Sequence, residues 1–118
     1  MKNEVFNEPL FFDILKKINE CTEMSVKDAY TFTKFSDEIN QKFKFYITVY
    51  KKLLNKYGIK EGENYKFTDE NLKKFNEEFK QLLEEEFIIK VRQKIKFPDI
   101  IKIAPKQIEL LNDYFKFD

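Results

Sequence analysis

From Ser25 to Tyr57 the chain holds neither proline nor glycine, and Gly58 then closes the run. Within it Phe32, Phe35, Ile39, Phe43, Tyr46, Tyr50, Leu53 and Tyr57 recur three or four residues apart. That spacing stacks them on one face of an α-helix. Ser25 suits the N-cap, and Asp28 stands where a capping-box acid belongs. Lys51, Lys52 and Lys56 load the last turns, where the helix dipole favours cations, and Gly58 suits the left-handed C′ position. A helix over 26–57 is about 48 Å long at 1.5 Å per residue. Other elements must pack along a rod of that length, or a partner must.

The remainder of the chain is read around this rod. Its 118 residues argue for a single domain, 1–118. A hydrophobic content of 42% supplies a core, and the charged 36% nearly cancels to +1, so neither disorder nor global affinity for nucleic acid follows. All but one of the 22 basic residues are lysine, the exception being Arg92, and alanine occurs only at Ala29 and Ala104. This is the composition an AT-rich coding sequence produces. The single Cys21 excludes an internal disulfide and fits a reducing compartment. Met1-Lys2-Asn3-Glu4 opens no signal peptide, and no apolar run reaches membrane-spanning length, so the expectation is a soluble cytoplasmic protein that does not enter a membrane.

Residues 1–8 read as a loose lead-in, with Val5 and Phe6 as packing contacts. Pro9 opens a first helix whose Phe11, Ile14, Leu15 and Ile18 share a face, to about Thr22. Cys21, one turn beyond Ile18, is expected to face the same core. The short link Glu23-Met24-Ser25 then folds the first two helices into a hairpin. Residues 58–64 contain both glycines and read as the flexible turn, with Tyr65-Lys66-Phe67 as a short strand. Thr68 caps a third helix striped by Leu72, Phe75, Phe79, Leu82 and Leu83 and ending near Glu85. Period then changes to two: Phe87, Ile89, Val91, Ile95 and Phe97 alternate with Lys90, Arg92, Lys94 and Lys96, which predicts a half-buried β-strand ended by Pro98. Its expected partner is Tyr65–Phe67 or Phe115–Phe117. Pro105 opens a short last helix packed through Ile108, Leu110, Leu111 and Tyr114. The predicted fold is α+β: a helical hairpin with one long central helix, a third helix, a small antiparallel sheet and a short C-terminal helix.

The absence of histidine and the lone cysteine rule out Ser/His/Asp and Cys/His nucleophilic arrangements and a zinc site built on such ligands. Gly58 and Gly62 belong to no phosphate-cradling motif. The acids of the third helix interleave with Lys73, Lys74 and Lys80, as on a solvated, ion-paired face, and no cofactor or metal is expected. Two charged features stand out. Glu84, Glu85 and Glu86 end the third helix against its dipole and could meet a basic partner. Lys90, Arg92, Lys94 and Lys96 place four cations about 6–7 Å apart on one strand face, suited to an acidic protein surface or to phosphates. The competing explanation is an exposed sheet edge kept from aggregating by charge. No aromatic falls between those cations, which argues against base stacking. Tyr30, Phe45, Ile47, Val49 and Leu54 lie off the long helix's main stripe, a second apolar face for self-association or a partner.

Ser25-Val26-Lys27-Asp28-Ala29-Tyr30 opening the long helix, Leu53-Leu54-Asn55-Lys56-Tyr57-Gly58 closing it, Tyr65-Lys66-Phe67, Asn71-Leu72-Lys73-Lys74-Phe75-Asn76-Glu77-Glu78-Phe79, Leu82-Leu83-Glu84-Glu85-Glu86 and the terminal Ile108-Glu109-Leu110-Leu111 follow one another in an order that resembles a group of small uncharacterised proteins of tailed phages and prophages of low-GC bacteria. The resemblance spans most of 10–115 and carries no catalytic residues. It implies a phage-encoded protein in the bacterial host's cytoplasm. That protein would be either an inhibitor of a host defence effector or a virion or assembly accessory. The expectation is therefore a non-enzymatic protein that binds a host or phage protein, foremost as such an inhibitor. A homo-oligomeric assembly factor is the alternative, and a nucleic-acid binder using the basic strand the third.

Overall fold

The computed structural model describes residues 1–117. Its elements in order are a 3-10 turn (Asn3–Asn7), α1 (Pro9–Glu20), α2 (Val26–Tyr57), β1 (Ile59–Glu61), β2 (Asn64–Lys66), α3 (Asp69–Glu84), β3 (Ile95–Lys96), α4 (Pro105–Leu111) and β4 (Phe115–Lys116). The fold is α+β with a helical majority: four helices with a long central one, an antiparallel β1–β2 pair and a parallel β3–β4 pair.

α2 starts and stops where its caps direct. Ser25 Oγ accepts from the Asp28 N–H at 3.1 Å, and the Ser25 carbonyl takes the first helical bond from Ala29 at 2.9 Å. Removing such a cap costs about 1 kcal/mol. Gly58 follows the helix without the left-handed backbone expected of it, since the glycine with positive φ is Gly62. Its N–H still donates to Leu54 O at 2.8 Å, and a side chain is excluded there because a Cβ would lie 2.7 Å from that oxygen and 2.9 Å from the Tyr65 ring.

The chain divides into two compact units. One comprises Met1–Glu4 and Gln41–Phe87. In it the later residues of α2 present Phe43, Tyr46 and Tyr50 as a ladder of stacked rings 6.2 and 6.3 Å apart, and Tyr50 meets Phe79 of α3 at 5.3 Å. Thr68 caps α3 by accepting from the Asn71 N–H. The carbonyls at the α3 end are met by Asn3, whose side chain donates to Leu82 O and whose N–H donates to Glu85 O, both at 3.0 Å. β1 and β2 form a hairpin around Gly62-Glu63, where Gly62 has φ +62°, the conformation a type II′ turn demands at that position.

The other unit comprises Val5–Asn40 and the described residues from Ile88 onward. Its core gathers Phe11, Ile14, Ile18, Phe35, Ile39, Ile95, Leu111 and Phe115, all essentially solvent-free. α1 packs on α4, and Gln107 clamps the two: its Oε1 accepts from the Ala104 N–H and its Nε2 donates to Leu10 O. Phe35 meets Tyr114 at a tilt of 45° with ring centres 4.9 Å apart and meets Phe115 edge-on.

Four further expectations are corrected. The strand over 87–97 is a strand only at Ile95–Lys96, and it runs parallel to Phe115–Lys116. Alternation specifies an extended chain with one buried side, and residues 88–94 satisfy it without joining a ladder, with a bend at Arg92-Gln93. The antiparallel sheet lies wholly within 59–66: Tyr65 and Lys66 are strand as expected, but they pair with Ile59–Glu61, where the flexible turn was expected. Residues 3–7 form a 3-10 turn with Val5 and Phe6 buried, where a loose lead-in was expected. Leu72, placed on the α3 stripe, is exposed, because Phe75 one turn on takes the buried position.

Candidate functional site

The second half-period of the alternation builds the site. Ile89, Ile95 and Phe97 are buried and Val91 and Gln93 half-buried, and they pin residues 88–97 as a strap on which Ile88, Lys90, Arg92, Lys94 and Lys96 face out. Hydrogen bonds fix its later end: the Ile95 N–H donates to Tyr114 O and the Phe97 N–H to Lys116 O, each at 2.9 Å. Lys90, Arg92, Lys94 and Lys96 are consequently all exposed, as the period-two pattern predicts. Among the described residues, Lys90, Arg92 and Lys94 have no carboxylate within ion-pair distance.

The structure adds residues from α2 that the strap's own sequence does not announce. A cavity of about 320 Å³ is lined by Lys90, Val91 and Arg92 on one side and by Tyr30, Lys34, Phe35 and Glu38 on the other. Tyr30, Lys34 and Glu38 recur every fourth position, a row one step round the helix from the buried stripe. The Lys34 ammonium lies 5.5 Å from the Tyr30 ring centre, so this exposed aromatic already carries a cation. Lys96 is set apart from Lys90 and Arg92. It borders a second cavity of about 380 Å³ together with Glu23, Asp28 and Asp99, and its N–H approaches Asp28 Oδ1 at 3.5 Å.

The acidic trio lies in the other unit and takes three different backbone positions. Glu84 is the last residue of α3, Glu85 is the C-cap with extended backbone, and Glu86 forms an antiparallel bridge with Lys2. All three are exposed. The opposition to the helix dipole is therefore confined to Glu84, since the chain has left the helix by Glu85. Glu85 and Glu86 border a groove of about 250 Å³ with Phe45, Val49, Leu82 and Phe87. Phe45 is 65% exposed and Val49 40%, so part of the second apolar face of α2 is open. Ile47 and Leu54, read as part of that face, are half-buried.

No group of three His, Cys, Asp or Glu side chains is arranged to hold a metal ion among the described residues, and none of their helices is long and apolar enough to cross a membrane. Comparison with protein-family models, with curated proteins and with solved structures finds no match in any of the three.

Proposed function

We propose that this protein acts by binding another protein and carries out no bond-making chemistry, with the outward cations of the strap as its contact. The carrying observation is that Lys90, Arg92 and Lys94 are held exposed by buried neighbours yet have no ion-pair partner within the described chain. Three exposed cations that form no ion pair in a chain with 21 acids make a surface suited to an external anion. The edge-guard explanation has little to act on at residues 88–94, which border no sheet. Given the resemblance to phage-encoded proteins, the partner is a host defence effector whose surface the strap occludes.

The test is a pull-down from host lysate with the unaltered chain and with Lys90, Arg92, Lys94 and Lys96 all changed to Glu. Loss of a captured protein with the fold intact by circular dichroism supports the reading; an unchanged capture retires the strap. A gel shift with DNA and RNA that is absent or insensitive to salt removes the nucleic-acid reading.

A second reading, homo-oligomer formation in a virion or assembly role, is favoured by the open Phe45 and Val49 beside Phe87. Light scattering decides it, since a stable monomer at high concentration is incompatible with such a role.

A further inference from the structure

The two cavities along the strap carry opposite balances of charge. The first sets Lys34, Lys90 and Arg92 against the single carboxylate of Glu38, over an apolar lining from Phe35 and Val91. The second sets Lys96 against Glu23, Asp28 and Asp99. A nucleic-acid strand repeats its charge at every residue, so an end drawn to the first cavity brings further phosphates toward the carboxylates of the second. A protein segment presents an acid at one point and need not present another at the next.

The cations of the first cavity also come from two elements far apart in sequence. Lys34 belongs to α2 and Lys90 and Arg92 to the strap, so the fold assembles the charge and does not merely leave a lysine run in solvent. The only arginine among 22 basic residues stands here. Its planar fork matches a carboxylate through two parallel hydrogen bonds, which a lysine cannot reproduce. The apolar lining suits the methylene stem of the same side chain.

Building on the protein-binding reading above, we propose that this cavity is the seat of an aspartate or glutamate side chain presented by the protein partner, with Arg92 gripping the carboxylate, Lys34 and Lys90 flanking it, and Glu38 limiting how much negative charge can enter. Lys34 is thereby a binding residue that the strap alone does not reveal.

Fluorescence anisotropy tests this with three labelled probes at low salt. These are a short peptide amide with two glutamates flanked by leucines, the same peptide with glutamines, and an oligothymidylate of equal length. The glutamate peptide is expected to bind saturably and the glutamine peptide at least about tenfold more weakly. Lys34→Glu should weaken the glutamate peptide by about tenfold, Arg92→Lys by several-fold with charge preserved, and Glu38→Gln should tighten it. Lys73→Glu on α3 is the control and should change nothing. Equal binding of both peptides, indifference to Lys34→Glu, or tighter binding of the oligothymidylate overturns the proposal. If the fourfold strap reversal removes partner capture but Lys34→Glu affects neither peptide nor partner, the strap reading stands and the cavity is not its seat. If the strap reversal itself changes nothing, the strap reading fails and the cavity proposal falls with it.

Discussion

Residues 26–40 and 41–57 of α2 carry the same three-and-four periodicity, yet they bury it to different depths. In the first stretch Phe32, Phe35 and Ile39 are almost solvent-free; Phe32 meets Phe115, and Phe35 meets both Tyr114 and Phe115. In the second, Tyr46 and Leu53 are buried while Phe43, Tyr50 and Tyr57 stay half-exposed in a seam of rings. The difference lies in what covers each stretch. The unit holding residues 5–40 collects apolar side chains from α1, α4, the strap and β4, whereas the unit holding residues 41–87 has chiefly α3 and a short hairpin to offer. One periodicity thus supports a full core where several elements converge and a shallow aromatic seam where two helices meet. Among the side chains of α2, phenylalanine and isoleucine fill the former, and tyrosine, whose hydroxyl can remain wet, recurs in the latter at Tyr46, Tyr50 and Tyr57.

Truncation should separate the two most sharply. Phe35→Ala is expected to cost about 3–5 kcal/mol, because a ring that is 1% exposed leaves a closed void. Phe75→Ala should cost less, about 2–3 kcal/mol, because its neighbours Tyr50, Phe67 and Phe79 are half-exposed and can close in. Urea unfolding of both variants checks the order, and a larger loss for Phe75→Ala breaks the comparison. Native-state hydrogen exchange sharpens it: amides of α1 should outlast those of α3.

Gly58→Ala comes next, with about 1–3 kcal/mol from the contacts with Leu54 O, Tyr65 and Phe67. Gly62→Ala should cost only about 1 kcal/mol, since its Cβ meets nothing and the penalty is its φ of +62° alone. Equal losses at the two glycines would show that α2 does not pack closely on the hairpin at Gly58. Ser25→Ala should lower stability by about 1 kcal/mol, read as a shifted urea midpoint with unchanged slope.

The smallest expected effect depends on pH. The Glu78 carboxyl is held below its ordinary range, first by a hydrogen bond from the Tyr57 hydroxyl and then by Lys56, while partial desolvation works the other way. A lowered carboxyl contributes stability above its unfolded pKa, and that contribution is lost as pH falls through the folded value. The unaltered chain should therefore exceed Glu78→Gln slightly at neutral pH and converge with it in acid. A gap that persists in strong acid assigns Glu78 a packing role instead.

Much of this architecture is legible in local sequence. α2 emerges with its bounds because cap, stripe and closing glycine agree, and α3 emerges through Thr68 and its phenylalanines. For the β3–β4 pair the C-terminal partner is one of two alternatives, but nothing within residues 87–97 chooses between them or encodes the parallel sense. The strap's alternation correctly marks Lys90, Arg92, Lys94 and Lys96 as outward, since burial has the same period with or without a ladder. Lys34 and Glu38 stay hidden as site residues because their row on α2 looks like any solvated helix face until residues 90–92 are laid beside it. The one available signal was the four-residue spacing of Tyr30, Lys34 and Glu38.

The pairing of Ile95 with Phe115 also sets an order of events during synthesis. Residues 41–87 emerge from the ribosome as an unbroken run able to collapse at once with Met1–Glu4 already present. Phe32 and Phe35, in contrast, must wait until Tyr114 and Phe115 have been translated. For that interval the deepest apolar side chains of the molecule stand open, the period in which a nascent chain depends most on chaperones.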